Sequence, residues 1–129
     1  MSAKRAGRGY TATEIRVGYV TSSDGAAVAS ALGGPTDFLN AGDVPGQLKA
    51  IADYINKRGG VLGRKLVLVN QDISSQKALD DPNAAAQQLC TGWTQDLKVF
   101  VGINPSGLNN PTLRAAMAKA DTPMIEAAA

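Results

Sequence analysis

Three stretches of the chain carry apolar residues with the spacing of one face of an α-helix. In each stretch they recur at positions i, i+3, i+4 and i+7, which places them in a single stripe along the helix. The stripes are formed by Leu48, Ile51, Ala52 and Ile55, by Ala86, Leu89, Cys90 and Trp93, and by Leu113, Ala116, Met117 and Ala120. The pattern predicts three amphipathic helices, with Cys90 and Trp93 buried in the core.

Two of these helices have clear start signals. Asp80 or Asp81 precedes Pro82. Asn110 precedes Pro111 in the same way. A capping residue followed by proline at the first helical position is typical of a helix start. We therefore interpret the two neighbouring carboxylates as caps and not as an acid–base pair.

Short apolar runs alternate with the helices. They cover residues 14–21, 66–69, 99–103 and 124–125. Strands that alternate with helices of this length are typical of a parallel sheet. We predict an α/β fold, a doubly wound parallel sheet of about four strands with helices on both faces. Ligands bind such sheets outside the carboxyl ends of the strands. At one of these ends, Asp72 is predicted to cap the loop that follows its strand, with contact to a ligand as the alternative.

The link between the first helix and the second strand contains three glycines and the motif Gly-Arg-Lys. A phosphate loop requires G-x-x-x-x-G-K-[ST] ahead of a helix. Here the glycines come ahead of a strand, and neither Ser nor Thr follows Lys65. We interpret Gly59 or Gly60 as the left-handed residue that ends the helix, and Gly63 as a second bend.

The composition narrows the possible functions. The chain has 129 residues, no histidine, one cysteine and a net charge of +2. The length suits one domain or one lobe of a larger protein. Without histidine, His-dependent triads and most zinc sites are excluded. Because the charge is small and aromatic residues are only 5%, we expect no nucleic-acid partner. We predict no catalytic, metal-binding or cofactor-binding residues.

The first thirteen residues are polar and basic. They include Lys4, Arg5 and Arg8, but no apolar segment follows these residues as it would in a signal peptide. We predict that residues 1–13 form a disordered leader and that the folded unit spans residues 14–129. Residues 22–40 are predicted to be a long loop with a short helical turn around residues 26–32.

Four segments, taken in order, resemble one known family. They are EIRVGYVTSSDGAAVASALGG, LKAIADYINKRGGVLGRKLVLVNQDISS, DPNAAAQQLC with LKVFVGINPSG, and AKADTPMIEAAA. The chain is similar to the type I periplasmic binding proteins, in the branch of the branched-chain amino acid receptors of ABC importers. The resemblance covers residues 14–129.

The resemblance implies a ligand site between two lobes, with first-lobe contacts on the loops after the first, third and fourth strands. Carried onto this chain, these positions are Ser22, Ser23, Ser106, Gly107, Ala128 and Ala129. Ser106 stands where the family has a hydroxyl that binds the ligand carboxylate. Glu126 is a departure, because a serine is usual there. The resemblance also implies that the second lobe is missing from this chain. The segment 33–45 is longer and more broken than the usual start of the family's first helix.

The function implied by the resemblance is that of the solute-binding component of an ABC importer, present here as a truncated first lobe. The expected solute is an amino acid or a related small polar molecule, and the expected partners are the membrane subunits of the transporter. The expected location is periplasmic or otherwise extracytoplasmic, with a lipid anchor as one arrangement of the precursor. Two alternatives stay open: the effector-binding domain of a sugar-responsive repressor, and a fragment of a doubly wound enzyme.

Overall fold

The strands form one parallel sheet. A computed structural model of the chain describes residues 7–24, 27, 31, 44–104 and 110–126. The strands of the described part are β1 (Glu14–Thr21), β2 (Lys65–Asp72), β3 (Val101–Asn104) and β4 (Met124–Glu126). They form a four-stranded sheet in the order β2-β1-β3-β4, and every neighbouring pair is parallel. The predicted α/β class, a doubly wound parallel sheet, is confirmed.

The helices with defined bounds include the three that the apolar spacing predicted. They are α1 (Val44–Lys57), α2 (Ser75–Asp80), α3 (Pro82–Thr91) and α4 (Pro111–Lys119), with a π-helical turn (Gly92–Asp96) directly after α3. The sequence pattern missed α2, which is too short to show a helical period, and the π-helical turn. Ala27 and Ala31 are helical, and the rest of the helical turn predicted around residues 26–32 lies outside the described residues. Among the described residues, none of the helices has the length and apolar character of a transmembrane span.

The predicted helix starts are confirmed. The side chain of Asp81 accepts a hydrogen bond from the backbone N–H of Ala84 at 3.0 Å, with Pro82 at the start of α3. Asn110 accepts one from the backbone N–H of Leu113 at 3.1 Å at the start of α4. These bonds satisfy amide groups that the first turn of a helix leaves without a partner.

One face of the sheet is closed by a tryptophan that lies on two glycines. One row of paired residues crosses the four strands and consists of Val69, Gly18, Gly102 and Met124. Trp93 is 0% exposed. A Cβ atom would lie 2.8 Å from Trp93 Nε1 at Gly18, and 2.5 Å from its Cε3 at Gly102. The glycines therefore make the space that the indole ring fills. We call this side of the sheet the closed face.

The helices after β2 and β3 supply the rest of the closed face. Their buried apolar residues are Ala85, Ala86, Leu89, Cys90, Leu113 and Met117. The predicted burial of Cys90 and Trp93 is confirmed. These residues form one cluster with Ile73 and Val99, and this cluster is the core of the described part of the protein.

The described residues cover the opposite side, which we call the open face, less completely. Strand alternation places Tyr19, Ile103 and Ile125 there, in one row across β1, β3 and β4. Helix α1 packs against β2, and its buried Ala52 lies outside the core cluster. Ile51 of the predicted apolar stripe is 57% exposed, and Ile125 is 58% exposed. Helices therefore lie on both faces of the sheet, as predicted, but they bury the two faces to different extents.

The turn from α1 to β2 has the structural role that the glycines predicted. Gly59 and Gly60 have φ angles of 99° and 74°, and their N–H groups bond to the carbonyls of Asn56 and Ile55. This pair of hydrogen bonds is the Schellman motif, which ends a helix. Asn56 adds a second link, because its side chain bonds to both the N–H and the carbonyl of Leu66, at 2.8 and 3.0 Å.

A two-residue turn completes this connection. Val61 and Arg64 exchange two backbone hydrogen bonds of 2.8 and 2.9 Å. The two central residues, Leu62 and Gly63, have φ angles of 51° and 76°. Positive φ at both central positions is the signature of a type I′ turn. The predicted bend at Gly63 is confirmed.

Residues 7–13 differ from the disordered leader that we expected. Gly9 accepts a backbone hydrogen bond from Arg16, and Thr13 accepts one from Lys65, both at 2.8 Å. The guanidinium of Arg8 donates to the carbonyl of Ala120 and to the hydroxyl of Thr122. We call residues 7–13 the amino-end strap, because they run across the end of the sheet where the strands begin. Residues 1–6 lie outside the described part.

Candidate functional site

The loops after β1 and β2 meet at the carboxyl end of the sheet. These two strands are paired along their whole length, from Glu14 with Lys65 to Thr21 with Asp72. Because parallel strands end side by side, the polar residues that follow them are brought together. Two carboxylates, from Asp24 and Asp72, organise the meeting point.

Asp72 holds the loop that follows β1. Its Oδ1 accepts hydrogen bonds from the hydroxyl of Thr21 and the backbone N–H of Ser23, both at 3.0 Å. Its Oδ2 accepts from the hydroxyl of Ser23 at 2.9 Å. Asp72 therefore caps a loop, but the prediction named the wrong one, because the loop that it holds follows β1 and not its own strand.

Asp24 makes the reciprocal link, from the β1 loop to the start of α2. Its carboxylate accepts from the backbone N–H of Ser75 and the hydroxyl of Ser74, both at 2.7 Å, and from the hydroxyl of Ser22 at 2.9 Å. The backbone N–H of Gln76 adds a longer bond of 3.4 Å. The hydrogen bond from Ser75, followed by that from Ser74, holds the pKa of Asp24 well below its usual range.

Sequence reasoning missed the role of Asp24. Its partners Ser74 and Ser75 follow it by 50 and 51 residues, so no local pattern connects them. The available signal was the small polar run Ser22 to Gly25 directly after a strand, which marks a loop at the ligand-binding end of such a sheet.

Two of the predicted ligand-binding residues, Ser22 and Ser23, lie in this network. Ser22 Oγ donates to Asp24 and also contacts Ser75 Oγ. Ser23 Oγ donates to Asp72. A serine hydroxyl has one proton and two lone pairs. Since both protons point to carboxylates, the hydroxyls present only acceptors to a ligand. The other four predicted residues, at positions 106, 107, 128 and 129, lie outside the described residues.

The carboxyl end of β4 carries Glu126, at the position where the sequence resemblance led us to expect a serine. Arg114 of α4 donates two hydrogen bonds to Glu126 Oε2, at 2.6 and 2.9 Å. The other oxygen, Oε1, is buried and has no hydrogen-bond partner among the described residues. Glu126 is therefore an anchor for α4, which accounts for a charged side chain at this position.

Other candidate sites are weaker. A cavity of about 550 Å³ opens between α3, the π-helical turn and α4. Its lining includes Gln87, Cys90, Thr94, Gln95 and Lys119. It lies between helices on the closed face, away from the strand ends. Within the ranges that the structure describes, no group of three His, Cys, Asp or Glu side chains could hold a metal ion.

The comparisons with known proteins add no family to these observations. No known family model matches the chain, and no curated protein matches it. The topology of the sheet therefore establishes the fold class by itself, and function must be argued from the chemistry of the strand ends.

Proposed function

We propose that this chain is the first lobe of an extracytoplasmic solute-binding protein of an ABC-type importer. The proposed solute is an amino acid or a related small polar molecule, and the proposed partners are the transporter's membrane subunits. The observation that carries the proposal is the paired loop network at the carboxyl end of β1 and β2. Its serine hydroxyls are fixed before any ligand arrives, which lowers the entropic cost of binding.

The chemistry of these hydroxyls favours an amine. An ammonium group has three protons to donate and no lone pair to offer. Ser22 and Ser23 offer lone pairs, and the carboxylates of Asp24 and Asp72 next to them add negative potential. The ammonium group of an amino acid suits this position, and its carboxylate would then face the loop after β3, where the family resemblance implies a role for Ser106.

A single lobe covers only one side of a small solute. Binding sites for small molecules usually enclose most of the ligand surface. One side alone makes fewer contacts, while the entropic cost of immobilising the solute is unchanged. We therefore expect residues 1–129 alone to bind amino acids negligibly, and high affinity to require a second lobe.

The test is calorimetric titration with a panel of free amino acids. The protein is expressed from the complete reading frame that contains these residues. The parent protein and the Ser23→Ala variant are compared. We expect the substitution to weaken binding by about 1.5–3 kcal/mol, because it removes a hydrogen bond to a charged group. Ser106→Ala is a second variant, with the same expected loss.

Thr21→Val is the matched control for Ser23→Ala. It also removes one hydroxyl hydrogen bond to Asp72, but it lies in the strand and is not a predicted ligand contact. Equal weakening by Thr21→Val and Ser23→Ala would contradict direct contact with the solute. Binding of a sugar, and of no amino acid, would favour the effector-binding domain of a repressor instead.

A further inference from the structure

We propose that the amino end of the sheet is a docking surface for an anionic lipid bilayer. The surface consists of an exposed leucine at the tip of the turn before β2, an aromatic pair beside it and a set of exposed cations. It lies at the opposite end of the strands from the loops that carry the candidate solute site, so the two proposals can fail independently.

Leu62 is the first observation. Its side chain is 83% exposed, and its φ of 51° lies in the left-handed region. Asparagine, aspartate and glycine are the residues that suit this turn position. An exposed leucine there gains almost no burial within the described fold and adopts an unfavourable backbone conformation. A contact with a surface outside the described fold would bury this side chain, and it would account for a leucine at a left-handed turn position.

Aromatic side chains extend the apolar surface from this turn. The guanidinium of Arg64 lies 5.4 Å from the centre of the Tyr10 ring. The Tyr10 and Phe100 rings meet edge to face at 5.7 Å, and Phe100 is 43% exposed. Val61, next to the tip, is exposed as well. Exposed apolar side chains therefore lie at the turn and at the start of β3, with Arg64 and the half-buried Tyr10 between them, and we call this set the apolar strip.

Cations surround this strip. In a parallel α/β sheet, the ends of the helices and the starts of the strands lie at the same end. Here that topology collects Arg8, Arg58, Arg64, Lys65, Lys98 and Lys119. All except the half-buried Arg64 are exposed. The ion pairs among the described residues are Lys49–Asp53 and Arg114–Glu126, so the five exposed cations of this set are not neutralised in ion pairs there.

The opposite end of the sheet has the opposite sign. It carries Asp24, Asp72, Asp80, Asp81 and Glu126. Glu14, Asp96 and Asp121 lie among the cations of the amino end, and Lys77 and Arg114 lie at the opposite end. Each end therefore has an excess of one sign, and the protein is polarised along its strands although its net charge is only +2. Such a distribution orients the protein with its amino end toward an anionic surface.

An exposed leucine among cations favours lipid over nucleic acid. Cations near an anionic bilayer gain electrostatic energy, and an apolar side chain gains further by entering the interface. The phosphates of a nucleic acid would also attract the cations, but they would provide no apolar environment for the side chain of Leu62. The Tyr10 ring is also engaged by Arg64 and Phe100, so it is poorly placed to stack on a base.

The test is co-sedimentation of the full chain with vesicles. One preparation contains phosphatidylcholine alone, and the other contains phosphatidylcholine with phosphatidylglycerol. We expect binding to the anionic vesicles only, and weaker binding as salt is added. Leu62→Asn preserves the turn, since asparagine suits its φ, and should reduce binding about tenfold. Lys65→Gln and Lys98→Gln should each reduce it about fivefold.

Lys49→Gln and Lys77→Gln are the matched controls. They remove the same charge from α1 and α2, away from the amino end, and should leave vesicle binding unchanged. Equal binding to both vesicle types, or none to either, would overturn the proposal. So would full binding by Leu62→Asn, an equal loss in the control variants, or tighter binding to duplex DNA in a parallel titration.

Discussion

The closed and open faces of the sheet are stabilised in different ways. On the closed face, Trp93 is fully buried against Gly18 and Gly102. On the open face, α1 leaves Ile51 and Tyr54 more than half exposed. Apolar packing therefore dominates one side, while the other relies on the links at the end of α1, where Asn56 and the glycine turn hold β2.

This difference shows that an amphipathic helix can pack on a sheet without burying all of its apolar stripe. Only Ala52 among the four stripe residues of α1 is fully buried. The backbone links decide where α1 ends and how β2 begins. The predictions below separate packing from these polar links, in order of expected effect.

The largest effect is expected for Trp93→Ala. Removing a buried aromatic side chain leaves a cavity and should lower the free energy of unfolding by about 3–5 kcal/mol. Tyr54→Ala is the matched truncation on the open face, where the ring is 58% exposed, and should change it by about 0.5 kcal/mol. Urea denaturation measures both. Equal losses would show that the two faces are equally packed.

Gly102→Ala should be the next most damaging change. The added methyl group would lie 2.5 Å from the Trp93 ring, and overpacking a core typically costs about 1–3 kcal/mol. The smaller ring of Trp93→Phe in the same chain should recover part of the loss, because it frees space above the glycine. A double variant no more stable than Gly102→Ala would argue against a clash with the indole.

Asn56→Ala tests the polar link of the open face. It leaves both the N–H and the carbonyl of Leu66 without the Asn56 side chain, which should cost about 1–3 kcal/mol. Asn83 is the control, since among the described residues its side chain accepts one bond, from the hydroxyl of Thr112. Asn83→Ala should change stability by less than about 1 kcal/mol. If the two variants denature alike, Asn56 is not what holds α1 to β2.

Ile51→Ala should have a small effect on stability. Because the side chain is 57% exposed, its truncation should cost less than about 1 kcal/mol. Leu89→Ala on the closed face, where the side chain is buried, should cost about 2–5 kcal/mol. A large loss for Ile51→Ala, measured by thermal and urea denaturation, would mean that α1 packs through its whole stripe.

Acid stability should separate the two carboxylates with a lowered pKa. Asp24 receives several hydrogen bonds in the loop network, whereas the pKa of Asp53, on α1, is lowered mainly by one hydrogen bond from Lys49. A lowered folded-state pKa stabilises the protein above the unfolded value of about 3.9, and this contribution is lost as the pH falls below it.

The corresponding measurement is urea denaturation at about pH 6 and about pH 3. Asp24→Asn should be less stable than the parent at the higher pH, and the difference should shrink at the lower pH. Asp53→Asn should show the same sign and a smaller change, because its carboxylate is exposed in a surface ion pair. A constant difference between parent and Asp24→Asn would show that its charge is not involved.

Much of the local structure could be predicted from the sequence. The strand Glu14–Thr21 has the predicted bounds, and the caps at Asp81 and Asn110 are where the capping pattern placed them. The second and third strands differ from the predictions by one to three residues at their ends. These features depend on residues close in the chain, whose spacing and backbone preferences act before any tertiary contact forms.

The candidate site was predictable only in part. Its place at the carboxyl ends of the strands follows from the α/β pattern, and Ser22 and Ser23 do lie there. The hydrogen-bond acceptors that fix their protons, Asp24 and Asp72, could not be assigned by spacing. The strap was missed for a similar reason, because the partners of Arg8 follow it by more than one hundred residues.

By itself, the sequence determined the class of the fold, the helices long enough to show a period, and the turn that returns the chain from α1 to β2. The tertiary structure decided which glycines face Trp93, how much of the α1 stripe is buried and which carboxylate caps which loop. The physical reason is that periodicity and capping act between neighbours in the chain. Register and long-range hydrogen bonds exist only once β1, β2 and β3 lie side by side.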